Sequence, residues 1–137
     1  MPVVFDTNLV VAYVRRYQRL PSRAVVPFVV VGELKSFALK SKWGYQRVNF
    51  LEHLLDEYPI AAMEDALPDL YARLDAYSQG KLPGQPLPRG LSARNMGKND
   101  LWIAATALYL DLPLHTADRD FDHLAALGLA LVSEPRA

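Results

Sequence analysis

The sequence has 137 residues, enough to bury a real core and within the size of one domain, so a single domain over 1–137 is expected. Hydrophobic residues make up 51% and charged residues 22%, a balance that excludes a disordered chain. Lysine plus arginine equals aspartate plus glutamate at 15 each, so no overall basic field exists and any contact with a polyanion must use local basic patches.

Val3-Val4-Phe5 is a short β-branched and aromatic run followed at once by Asp6-Thr7-Asn8. Three residues suited to N-caps after such a run predict a strand giving way to a helix over 9–17. The start of the chain is apolar but lacks a basic stretch and carries Asp6, which argues against a signal peptide. No apolar run approaches the roughly 18 residues of a membrane span. A second apolar run over 24–31, interrupted by Pro27, leads into Gly32-Glu33-Leu34, and helical spacing of Leu34, Phe37 and Ala38 predicts a helix over 33–42. Further helices are expected over 49–58 and 66–77, with a short strand at 60–62 between them. The stretch KLPGQPLPRG, 81–90, holds three prolines and two glycines and is neither helix interior nor central strand. A helix over 101–110 capped by Asn99-Asp100 follows, then a strand over 112–116, a turn over 117–122, a short helix over 123–127 and a last strand over 129–132. Strands alternating with helices predict an α/β fold, a central parallel sheet covered on both faces.

In such sheets ligands bind at the carboxyl ends of the strands, near the switch in strand order. Asp6 directly follows the first strand, Asp118 closely follows the strand ending at Thr116, and Asp100 opens a helix. Each acid also has a structural reading. Asp6 and Asp100 suit N-caps, Glu33 at a helix start suits the macrodipole, and Asp118 and Asp120 suit a turn. Carboxylates brought together repel unless their pKa values rise or a cation joins them. The sequence has no cysteine, which excludes disulfides and thiolate sites and is compatible with the cytoplasm. Its three histidines show no ligand spacing and receive no role, so oxygen donors point to Mg²⁺ or Mn²⁺ rather than zinc.

VVFDTN at the start, GEL at 32–34, NDLWIAATAL at 99–108 and LPLHTADRDFDHL at 112–124 resemble, in order and spacing, the landmarks of the PIN-domain family, in particular its VapC-like branch. The resemblance implies a three-layer α/β/α sandwich and an acidic pocket for Mg²⁺ or Mn²⁺ serving endonucleolytic cleavage of RNA. Carried over by residue, Asp6 and Asp100 match the main metal ligands, Glu33 the second-landmark acid and Asp118 the fourth, with Asp120 able to replace or share that last role. Thr7 or Asn8 matches the polar residue supporting the first aspartate, and Thr116 the hydroxyl near the last. An antitoxin protein of the VapB type and a homodimer are the implied partners. The alternative is a catalytically inactive PIN-like module that binds RNA or protein. A phosphatase with an aspartyl nucleophile would need a second acid two residues after the first, where this chain has Asn8.

Arg89, Arg94 and Lys98 flank the proline-rich stretch before Asp100 and are the candidate RNA contacts, because phosphates dominate nucleic-acid affinity. Lys35, Lys40, Lys42 and Arg47 read more simply as a solvated helix face. Trp43, Tyr45, Phe50, Leu51 and Leu54 supply apolar surface in excess of one helix face, the basis for expecting self-association.

Overall fold

Five parallel strands form the sheet: β1 (Val3–Phe5), β2 (Ala24–Pro27), β3 (Ile60–Ala61), β4 (Leu114–Thr116) and β5 (Leu131–Ser133). Their spatial order is β3-β2-β1-β4-β5 in the computed structural model, which describes residues 1–134. The chain therefore winds outward from β1 through β2 to β3, then restarts on the other side of β1 with β4. That reversal opens a crevice at the carboxyl ends of β1 and β4, where Phe5 pairs in register with His115. Helices cover both faces, giving the expected three-layer α/β/α sandwich.

All three residues of β1 are buried, as befits a central parallel strand covered above and below. Helix α1 (Thr7–Arg15) begins two residues earlier than its periodicity suggests, because the Asp6 carboxylate caps it by accepting the Leu9 N–H at 3.0 Å. Helix α2 (Phe28–Lys40) differs more. It starts at Phe28, directly after Pro27, and absorbs the β-branched run that reads as strand by propensity. Val30, Leu34 and Ala38, four residues apart, bury one face of it against the core, and that burial outweighs the local preference.

Glu33 consequently sits inside α2, away from the N-terminal end of the macrodipole, so the helix-start reading of this acid is wrong. Helix α3 (Tyr45–Glu57) starts four residues before the expected position, after Gly44, and α4 (Leu67–Ser78) falls within a residue of its predicted span. Helix α5 (Lys98–Leu110) is entered from Gly97 with no side-chain cap, so neither Asn99 nor Asp100 caps it; Asp100 lies in its first turn instead. After β4, a single 3-10 helix, Arg119–Leu127, replaces the predicted turn and short helix, and β5 begins two residues later and ends one residue later than expected. Leu129, expected to begin that strand, is buried in the core ahead of it. Among the described residues, no helix is long and apolar enough to cross a membrane.

Leu51 and Leu54 pack in the core at 1% and 3% exposure, so they do not belong to a surplus apolar face. Phe50 is half-buried against Tyr17, and Trp43 meets Phe37 edge-on with Arg47 over its ring. Leu39 and Tyr45 stand exposed on this side, at 80% and 85%, with Tyr17 at 45% beside Phe50.

Candidate active site

Asp6 leaves β1 at the crevice and is buried to 4% exposure. One carboxylate oxygen caps α1; the other accepts the Thr116 hydroxyl. The Thr116 oxygen in turn accepts the Asp118 N–H at 2.9 Å. This relay stitches the end of β1 to the end of β4 and orients Asp6 with a lone pair of each oxygen already spoken for. Thr7, the first residue of α1, donates to Glu33 at 2.5 Å and so ties that acid to the same edge. Asp118 accepts the Asp120 N–H at 2.9 Å, starting the 3-10 helix as its N-cap.

Asp6, Glu33, Asp100 and Asp118 line one open cleft of about 470 Å³, with Thr7, Asn8 and Asn99 at its polar wall. Four acids from four separate segments thus share one space. Their electrostatics register it. Burial raises the Asp6 pKa above its ordinary value, against the hydrogen bonds from Thr116 and Leu9 and with the charges of Asp118 and Glu33. Asp100 is pushed up to about 6, by burial first and then by Asp118, Glu33, Asp6 and Asp120. Among the described residues, no group of three or more acidic or histidine side chains is placed to hold a metal ion jointly. An open row of carboxylates suits a hard cation held by one or two of them, with water and phosphate oxygens completing its shell. No histidine lines the cleft, which also disfavours zinc.

Asp118 and Asp120, interchangeable in the sequence, occupy different places. Asp118 faces the cleft, whereas Asp120 is exposed and stands 3.7 Å from Arg94. Arg94 lines an adjoining groove together with Asp100 and Asp120, and Lys98 lines a shallow one with Glu33 and Asp100. Arg89 is exposed and is not among the residues bordering these grooves. Lys40, read as part of a solvated face, is a cleft residue. Its signal was available: Glu33, Ser36, Phe37 and Lys40 follow helical spacing on α2, and all four line the cleft.

The family model of the PIN domain matches residues 3–127. No curated protein matches the sequence. Among solved structures, a chain of VapBC2 from Rickettsia felis, crystallised with a DNA fragment from its promoter, superposes with a TM-score of 0.74 at 22% identity, covering 97% of this chain and 98% of that one. A chain of VapBC-1 from nontypeable Haemophilus influenzae gives 0.69 at 24% identity with the same coverage. VapBC-5 from Mycobacterium tuberculosis, described as a member of a family of toxin-antitoxin systems, gives 0.68 at 26% identity, again covering 97% and 98%.

Proposed function

The chain belongs to the PIN-domain family, and we propose that it is a Mg²⁺- or Mn²⁺-dependent endoribonuclease, the toxin of a VapBC-type pair held in check in the cytoplasm by a VapB-like antitoxin. The observation that carries this reading is the gathering of Asp6, Glu33, Asp100 and Asp118 in one cleft at the β1/β4 switch point. The similarity to chains of VapBC structures supports the choice of partner.

Asp6 and Asp100, the two acids whose pKa values burial raises, would hold the cation, with Asp118 beside them. A bound divalent cation supplies an activated water and charge neutralisation for in-line attack on a phosphodiester. The chain's own residues do the rest. Thr116 and the Leu9 N–H orient the Asp6 carboxylate, so its position does not depend on what binds there. Thr7 holds Glu33 at the same edge of the cleft, where a carboxylate can accept a proton from a water. Asn8, exposed at the mouth, and Lys98 and Arg94, which line grooves shared with Asp100, offer contacts to the sugar-phosphate strand.

Incubation of the purified protein with RNA and with DNA of the same sequence, with Mg²⁺ or Mn²⁺ and with EDTA, tests the reading. RNA is expected to be cleaved internally only with the divalent ion, and DNA to survive. A protein that binds RNA and leaves it intact under all metal conditions is the inactive module instead.

Self-association is part of the proposal. With Leu51 and Leu54 assigned to the core, it rests on the exposed Leu39 and Tyr45. A homodimer burying about 1,200–2,000 Å² in total is expected. Light scattering that returns a monomer at micromolar concentration removes it.

A further inference from the structure

Ser78, the last residue of α4, is fully buried and takes no part in the acidic cleft. Its hydroxyl donates to the Arg94 carbonyl at 3.1 Å, and the Arg94 N–H donates to the Ser78 carbonyl at 2.8 Å. Two hydrogen bonds therefore fix the backbone of Arg94 within the irregular stretch 79–97. A hydroxyl has one proton, and the Arg94 carbonyl takes it. His123 Nε2, 2.9 Å from the Ser78 oxygen, must then be the donor of that contact. Burial and the charge of Arg94 lower the His123 pKa from its ordinary value, against a hydrogen bond to the Asp120 backbone and the charges of Asp120 and Asp122.

His123 Nδ1 is buried with no well-aligned hydrogen bond, although the Asp120 backbone is close enough to favour a proton on the ring. An unsatisfied buried polar atom costs about 1–3 kcal/mol. The ring also stacks on Tyr77, with centroids 6.3 Å apart and planes 10° from parallel, a place an apolar side chain would fill without that cost. The histidine is a poor core residue and a good hydrogen-bond donor to Ser78.

Arg94 itself faces the groove beside Asp100. Its resting partner Asp120 is 3.7 Å away, and the two side chains are 38% and 73% exposed. Such a surface pair is worth at most about 1 kcal/mol. Exchanging it for a phosphate, which offers paired charge-assisted hydrogen bonds to a guanidinium, is favourable.

We infer that Ser78 and His123 are positioning residues that lock the Arg94 backbone so that its guanidinium holds a phosphate of the RNA strand in the groove next to Asp100. The inference rests on the ribonuclease reading and names one of its substrate contacts. Binding of a single-stranded RNA oligonucleotide to the Asp6→Asn protein, followed by fluorescence anisotropy over a salt series, tests it without cleavage. Arg94→Ala is expected to weaken binding about tenfold and to reduce the salt slope by about 0.7, one phosphate contact. Ser78→Ala should reproduce part of both effects, and the double variant should bind no more weakly than Arg94→Ala alone, because the serine acts through the arginine.

His123→Gln, whose amide nitrogen can replace Nε2 as donor to Ser78, should keep the parent salt slope, while His123→Leu should lower it toward the Arg94→Ala value. In the cleaving protein, Ser78→Ala and His123→Leu should raise KM and leave kcat within about twofold, the signature of lost uniform binding. Additive losses in the double variant, or an unchanged slope in Arg94→Ala, overturn the inference alone. Parent protein that binds no RNA overturns the ribonuclease reading with it.

Discussion

Replacement of Asp6 by Asn is expected to abolish RNA cleavage, by about 10³-fold or more in kcat/KM, with the fold intact. The magnitude follows from removing one anionic oxygen ligand, which withdraws several kcal/mol of charge stabilisation from the reaction. The fold survives for a local reason. Asparagine keeps the carbonyl oxygen that accepts the Leu9 N–H, so the α1 cap persists. Its amide nitrogen can donate to the Thr116 oxygen, which retains a free lone pair beside the one used by the Asp118 N–H. A buried carboxylate whose pKa burial has raised is also replaced by a neutral group, so thermal stability without metal should rise. Single-turnover cleavage beside a melting curve checks both halves. Full activity in the variant removes Asp6 from the mechanism; a lower melting temperature contradicts the electrostatic argument.

In metal-free protein, Asp100→Asn should raise the melting temperature at pH 7.5, and the gain should shrink as the pH falls toward 5. The Asp100 pKa is lifted from 3.8 to about 6 in the fold. Between those values the folded chain binds more protons than the unfolded one, so this group makes stability fall as pH rises, in the window from about 4 to about 6. Above that window the full penalty is present. Converting the displacement puts its ceiling at about 3 kcal/mol. The first-turn position of Asp100 favours a charge by up to about 1 kcal/mol, which the asparagine forgoes.

A net gain of about 1–2 kcal/mol, several degrees for a chain of this size, remains. His123 works with the opposite sign, since its pKa is lowered and its protonation opposes folding as the pH drops below its ordinary value of 6.5. The comparison of variant with parent at each pH removes that contribution. Millimolar Mg²⁺ at pH 7.5 should stabilise the parent more than the variant, by mass action on the folded state. A variant less stable than the parent at pH 7.5 in EDTA shows that burial and like charge do not govern this site.

The pattern at the strand ends is legible from the residues alone. Val3-Val4-Phe5 before Asp6, and Leu114 to Thr116 before Asp118, name two strands and place an acid after each, because short apolar or β-prone runs followed by turn and capping residues have few other readings. With helices between, a parallel sheet follows, and with it the edge on which the acids must lie. Which strands are neighbours there depends on long-range pairing: β4 pairs with β1, so Thr116 can reach Asp6 across 110 residues of chain. Packing also decides where α2 begins, since burial of Val30 and Leu34 overrides the strand propensity of the valines and carries Glu33 into the helix.

The division of labour between Asp118 and Asp120 was likewise undecidable from a two-residue spacing. The 3-10 helix turns one toward the cleft and leaves the other beside Arg94. The same limit hid Ser78 and His123. Local propensity and periodicity act within a turn or two of chain, whereas a hydrogen bond over 45 residues exists only once packing has brought its ends together.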